Sequence, residues 1–136
     1  MQLNPYLSFD GQCEAAFKFY ERCLGGKIAF KMTYGESPMA KDTPKELHNN
    51  ILHARLMVDD KVLMGADALP GRFEQPKGFF VTLNPETPEK AERIFAALSE
   101  KGTIHMPIQE TFWAQRFGML NDQFGIPWMV NCEKPM

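Results

Sequence analysis

One succession of elements, a strand, a helix and three further strands, occurs twice in this chain. That duplication constrains the fold more than any other feature. The first copy occupies residues 1–68. Leu3, Pro5, Leu7 and Phe9 alternate with Asn4, Tyr6, Ser8 and Asp10, the pattern of a half-buried strand. Over residues 12–24, Cys13, Phe17, Tyr20 and Leu24 recur at helical spacing, and Gly25-Gly26 provides the residue that closes a helix in the left-handed region. Strands are expected over residues 27–34, 51–59 and 61–68, the last two joined by a turn at Asp59-Asp60. The polar segment 35–50, with two prolines, is expected to be a loop, functional or mobile.

The second copy begins after a Pro- and Gly-rich connector at residues 69–77 and occupies residues 78–136. A strand over 79–83 precedes Thr87-Pro88, a capping hydroxyl followed by proline in the first helical position. The helix to Lys101 presents Ala91, Ile94, Phe95 and Leu98 on one face and stops at Gly102. Strands follow over 104–110, 113–120 and 126–132, with turn residues at 121–125. Phe17 and Phe95, 78 residues apart, occupy equivalent places in the two helices. Antiparallel meanders with a helix on one face make this an α+β chain of two tandem modules. At 136 residues it is expected to be one domain, able to bury roughly two-thirds of its unfolded surface.

Composition narrows the partners. A hydrophobic fraction of 44%, a charged fraction of 24% and a formal charge of -2 are those of an ordinary globular domain. They give no electrostatic reason to expect nucleic acid or an anionic membrane surface as a partner. No apolar run reaches the ~18 residues needed to cross a bilayer, and the first residues lack the features of a signal peptide. Three cysteines, Cys13, Cys23 and Cys132, lack CxxC spacing. Ten residues of helix separate the first two by about 15 Å, too far for a disulfide. A cytoplasmic protein with reduced thiols is expected.

Several local motifs point to a family. They are Asn4-Pro5-Tyr6-Leu7-Ser8-Phe9 with Cys13-Glu14-Ala15, Phe19-Tyr20 before Leu24-Gly25-Gly26, Tyr34-Gly35-Glu36, and Ile51-Leu52-His53-Ala54. The longest are Gln109-Glu110-Thr111-Phe112-Trp113-Ala114, continuing to Phe117-Gly118, and the run DQFGIPWMVN at residues 122–131. With these motifs in tandem modules, the chain resembles the PhnB-like branch of the vicinal oxygen chelate superfamily. That superfamily includes glyoxalase I, bleomycin-resistance proteins and extradiol dioxygenases. The resemblance implies a U-shaped, mainly antiparallel sheet around a cleft. Small repeated modules with exposed sheet edges lead to the expectation of a symmetric homodimer, for which the resemblance makes exchange of strands or modules an option. The resemblance also implies a divalent metal held by a His on each module's first strand and a Glu on each module's last. Strand register puts Asn4 or Pro5, Met64, Gly78 or Phe79, and Met129 at those positions here. None is a His or a carboxylate, and thioethers are poor ligands for hard divalent cations. No metal and no cofactor are therefore expected. Some relatives are named as demethylubiquinone methyltransferases, but no glycine-rich loop after a parallel strand is present to hold S-adenosylmethionine.

Some of the candidate site residues follow from alternation. Leu52, Ala54, Leu56 and Val58 form an apolar side, so His53, Arg55 and Met57 face the other way. Of the three histidines, His53 is the candidate base or ligand anchor, against the alternative of a hydrogen-bonded sheet histidine. His48 and His105 are expected to be solvated. Glu110, Trp113, Arg116 and Phe117 bridge two strands and could wall a pocket, or be core residues with a surface ion pair. Ile126, Trp128 and Val130 share a side under the second helix, which leaves Pro127, Met129 and Asn131 opposite. One cavity lined by Tyr6, Ser8, His53, Met64, Glu110, Trp113, Phe117 and Met129 is expected. Two function classes remain open. One is a metal-free module that binds a small amphipathic molecule; the other is an enzyme of isomerase, lyase or proton-transfer type using His53 or Glu110 as base.

Overall fold

The N-terminal alternation becomes β1 (Tyr6–Phe9), with Leu7 and Phe9 buried and Tyr6 and Ser8 exposed. Leu3 stays outside the strand and is fully exposed. The structure, a computed structural model, describes residues 1–135 and divides the chain into two compact units, Met1–Glu74 and a second from Gln75 onward. In the first unit, β1 is followed by α1 (Cys13–Leu24), β2 (Lys27–Thr33), β3 (Ile51–Val58) and β4 (Lys61–Asp67). The second contains β5 (Val81–Leu83), α2 (Pro88–Leu98), β6 (Thr103–Gln109), β7 (Ala114–Asn121) and β8 (Pro127–Glu133).

Each unit is a four-stranded sheet with one helix, so the tandem β-α-β-β-β reading holds. The strand orders are β1-β4-β3-β2 and β5-β8-β7-β6. Neither sheet is a pure meander. The first strand of each unit adds in parallel to its last, β1 on β4 and β5 on β8, while the remaining pairs are antiparallel. The sheets are mixed because each first strand joins the edge of the final strand rather than that of the second, and it runs in the same direction as its partner.

Packing explains why the helices stay on one face. Phe17 and Phe95, matched in sequence position, each press on a strand glycine. A Cβ at Gly65 would lie 2.9 Å from the Phe17 ring, and one at Gly118 would lie 2.5 Å from Phe95. Any larger residue would force the helix off the sheet. The core of the first unit adds Leu7, Phe9, Ala54 and Leu56; that of the second adds Leu120, Trp128 and Val130. Helix α2 begins as its sequence dictates, with the Thr87 hydroxyl accepting from Lys90 N at 3.2 Å and Pro88 in the first turn. It ends three residues before the expected Lys101, where the Ser99 hydroxyl donates to the Phe95 carbonyl at 2.6 Å.

Helix α1 is capped differently. Its N-cap residue, Gln12, contributes no side-chain bond. The buried Asp67 at the end of β4 instead accepts from Cys13 N at 2.9 Å through one oxygen and from Ile51 N at 2.8 Å through the other. Its main-chain carbonyl accepts the Tyr34 hydroxyl at 2.8 Å. One carboxylate thus ties the starts of α1 and β3 to the end of β4 and satisfies an N–H that the helix leaves unpaired. In the second unit, buried Asp122 accepts from Phe124 N, Ile126 N and the Trp128 indole at 2.8, 3.0 and 2.8 Å.

The 35–50 segment departs from expectation. It contains two short 3-10 helices, Pro38–Asp42 and Lys45–Leu47, the first capped by the Ser37 hydroxyl accepting from Met39 N. His48 is not a solvated surface residue. Its Nε2 lies 3.0 Å from the Ala40 carbonyl and 2.9 Å from that of Thr43. Both partners accept only, so Nε2 carries the hydrogen and the ring braces the loop. Among the described residues no helix is long and apolar enough to cross a membrane.

Candidate functional site

Each sheet has one face under its helix and one face without a helix. The register of the first unit sets out the helix-free face in rows. Tyr6, Met64, Arg55 and Phe30 lie opposite one another across β1, β4, β3 and β2. The next row contains Ser8 opposite Ala66, and His53 opposite Met32. His53 is half-buried between two aromatic rings, with Tyr6 at 5.7 Å and inclined by 29°, and Phe30 at 5.9 Å. The Tyr6 hydroxyl is 3.1 Å from His53 Nδ1. Partial burial, with smaller contributions from Cys13 and Tyr34, pushes the Tyr6 phenol above its usual range. The phenol therefore keeps its proton at neutral pH and shares a hydrogen bond with the imidazole.

The second unit repeats the arrangement with different side chains. Thr82, Met129, Met119 and Met106 form one row across β5, β8, β7 and β6, and Asn131, Phe117 and Gln109 form the next. Trp113 lies before β7, in a tight turn closed by Thr111 N donating to the Ala114 carbonyl and Ala114 N to the Thr111 hydroxyl, both at 3.0 Å. The turn presents an aromatic chain. Phe112, 88% exposed, meets Trp113 edge-on at 4.8 Å, and Trp113 meets Phe117 at 5.2 Å.

The two charges expected beside these rings do not meet. Glu110 pairs with Lys134 at 3.4 Å. Arg116 turns to the helix side, where its Nε lies 3.3 Å from Glu92 of α2 and a terminal nitrogen donates to the Gln115 carbonyl at 2.6 Å. Of the eight candidate residues, Tyr6, Ser8, His53 and Met64 thus belong to the first unit, and Glu110, Trp113, Phe117 and Met129 to the second. Tyr6 and His53 are brought into direct contact, as are Trp113 and Phe117.

Methionine placement is the strongest chemical feature of these faces. Met32, Met57 and Met64 lie on the helix-free side of the first sheet, and Met106, Met119 and Met129 on that of the second; all are half-buried. No described methionine is in the buried core, which is built from Phe, Tyr, Trp, Leu, Ile, Val and Ala with free Cys. Sequence alternation identified Met57 and Met129, and the ligand position implied by the family resemblance identified Met64. Alternation missed Phe30, Met32, Met106 and Met119, although Phe30 and Met32 are two apart in one strand, which is itself a signal that they share a side.

A divalent metal does not fit the donors present. Asn4 spends its side-chain amide on the Val62 carbonyl at 3.1 Å, and Met64 and Met129 carry thioethers. Among the described residues no three His, Cys, Asp or Glu side chains converge. Oxygen and imidazole donors are what a hard cation requires.

Residues 2–130 match the model of the Glyoxalase/Bleomycin resistance protein/Dioxygenase superfamily. Protein YjdN of Escherichia coli strain K12 is 37% identical over 142 residues, covering 98% of this chain and 97% of that protein. The crystal structure of protein PA1353 from Pseudomonas aeruginosa is 43% identical, with a TM-score of 0.90 and 99% of each chain covered. A PhnB protein from Bacillus cereus, at 23% identity, shares the fold with a TM-score of 0.81 over 97% of this chain and 99% of that one.

Proposed function

Since the chain belongs to the glyoxalase/bleomycin resistance protein/dioxygenase superfamily, we propose that it is a PhnB-like protein that binds a small amphipathic molecule without a resident metal. The observation that carries this reading is the segregation of methionine to the helix-free faces. A core needs side chains with few rotamers, and the helix-covered sides have them. A flexible, polarisable thioether is useful where a surface must fit a ligand rather than itself. Around the thioethers stand Tyr6, His53, Trp113 and Phe117, aromatic walls with a few polar groups, the usual make-up of a small-molecule site.

A thermal-shift panel of amphipathic small molecules, run with and without EDTA and divalent metals, tests the proposal. At least one organic compound should raise the melting temperature, and neither chelator nor Zn, Ni or Mn should move it. One equivalent of metal surviving dialysis would refute the metal-free half. The Tyr6–His53 contact favours a second reading, in which His53 moves a proton of a bound substrate. Product formation from a stabilising compound, lost in His53→Ala while binding persists, would establish that reading. Loss of binding itself would place His53 as an anchor.

A further inference from the structure

Asn131, on the helix-free face of β8, carries a polar atom that the fold leaves unserved. Its main-chain carbonyl accepts from Asn84 Nδ2 at 3.1 Å, but its side-chain Oδ1 is buried and has no hydrogen-bond partner. Among the described residues it is the one buried side-chain oxygen or nitrogen in that state. A buried, unpaired amide destabilises the fold, and an apolar residue of the same size would not. Its surroundings are those of a binding surface. Phe117 lies directly across in register, Met129 is two residues away on the same side, and Met119 lies across from Met129. These half-buried thioethers have the rotamer freedom to open a way to the oxygen.

We propose that Asn131 is the hydrogen-bonding anchor of a ligand surface on the second unit, and that its ligand is a planar aromatic molecule carrying a ring N–H or O–H. The ring lies against Met119, Met129 and Phe117, where sulfur–aromatic contact is favourable, and its donor serves Oδ1. This rests on the reading of the helix-free faces as small-molecule surfaces and adds the residue that selects among ligands. A neutral hydrogen bond to an otherwise unpaired group corresponds to about five- to tenfold in affinity.

The test uses protein with carbon-13 in its methionine methyl groups, titrated with indole and with 1-methylindole, which differ in the N–H. Indole should shift the Met119 and Met129 methyl signals and bind about five- to tenfold more tightly than 1-methylindole. In Asn131→Leu the two should bind alike, while the melting temperature stays level or rises because the orphaned amide is gone. Asn131→Ala provides the same comparison should the leucine distort the strand, and the wild-type preference is informative without either variant. Equal binding of the two compounds by the wild type, or a preference unchanged in the variants, overturns the anchor alone. Absence of any methyl shift with both compounds overturns the anchor together with the ligand surface of the second unit.

Discussion

Replacing Asp67 should be among the most damaging single changes available outside the helix–sheet core. The carboxylate is 2% exposed and accepts two main-chain N–H groups, Cys13 at 2.9 Å and Ile51 at 2.8 Å. Asp67→Ala leaves both donors buried without partners, at about 1–3 kcal/mol each, so about 2–6 kcal/mol in total. The same change removes a negative charge from the N-terminal end of α1, where Gln12 offers no substitute. Asp67→Asn keeps one acceptor but turns an NH2 towards the other donor, which gives about half the loss. Urea unfolding followed by circular dichroism measures it: the midpoint should fall while the slope stays unchanged. A chain of this size shifts its melting temperature by about 3–5 °C per kcal/mol, so Asp67→Asn should lower it by roughly 3–15 °C. An Asp67→Asn protein within about 0.5 kcal/mol of the wild type would show that the remote cap is dispensable and refute the reasoning.

Burial holds the Cys13 thiol far above its ordinary range, with Asp67 and Glu14 adding to the effect, and burial also raises Cys132. Iodoacetamide on native protein should therefore label half-buried Cys23 first, as peptide mapping would show; stability should also fall as pH rises past the ordinary thiol value, because only the unfolded thiols ionise. Glu14 is held below the usual carboxylate range, chiefly by its hydrogen bond with Lys31. Its contribution is present above the ordinary carboxylate value and lost as pH falls through the lowered one. At this exposed pair it is at most ~1 kcal/mol, so Glu14→Gln should flatten the acid limb of a stability–pH curve only slightly. Edge strands β1, β2, β5 and β6 leave unpaired backbone, and a symmetric homodimer is our proposal for their protection; a monomer in light scattering at micromolar concentration would remove it.

What the sequence discloses depends on whether the signal is local. Thr87-Pro88 writes the start of α2 in adjacent residues, and the alternation around Trp128 puts its indole in the core, 1% exposed. The parallel partner of β1 lies 58 residues away at Tyr6↔Met64, and no short window contains that pairing. Asp67 reads as one polar residue at a strand end, because its role depends on a helix start and a strand start that only the fold brings near. For the candidate site, period-two alternation was enough to place Tyr6, Ser8 and His53 on the side away from α1, while Met64 came from the ligand position that the family resemblance implies. It should also have separated Arg116 from Phe117, since successive strand residues oppose each other. The ring contacts around His53 depend on register with β2, and a bulged edge strand does not declare its register.

The parallel addition of β1 to β4 also sets an order of events. β1 leaves the ribosome well before β4, its hydrogen-bonding partner, which is complete only at Asp67. Until then α1 and the β2–β3–β4 hairpins can assemble through nearer contacts, each closing a shorter loop at lower entropic cost. By sequence separation alone, β1 is expected to be placed after these nearer contacts, with Leu7 and Phe9 uncovered until β4 is made. The second unit imposes the same wait on β5, whose Val81 must find Trp128 across 47 residues. On this expectation each unit would finish with a strand added to an edge already made, the stage at which another chain's edge could compete for it.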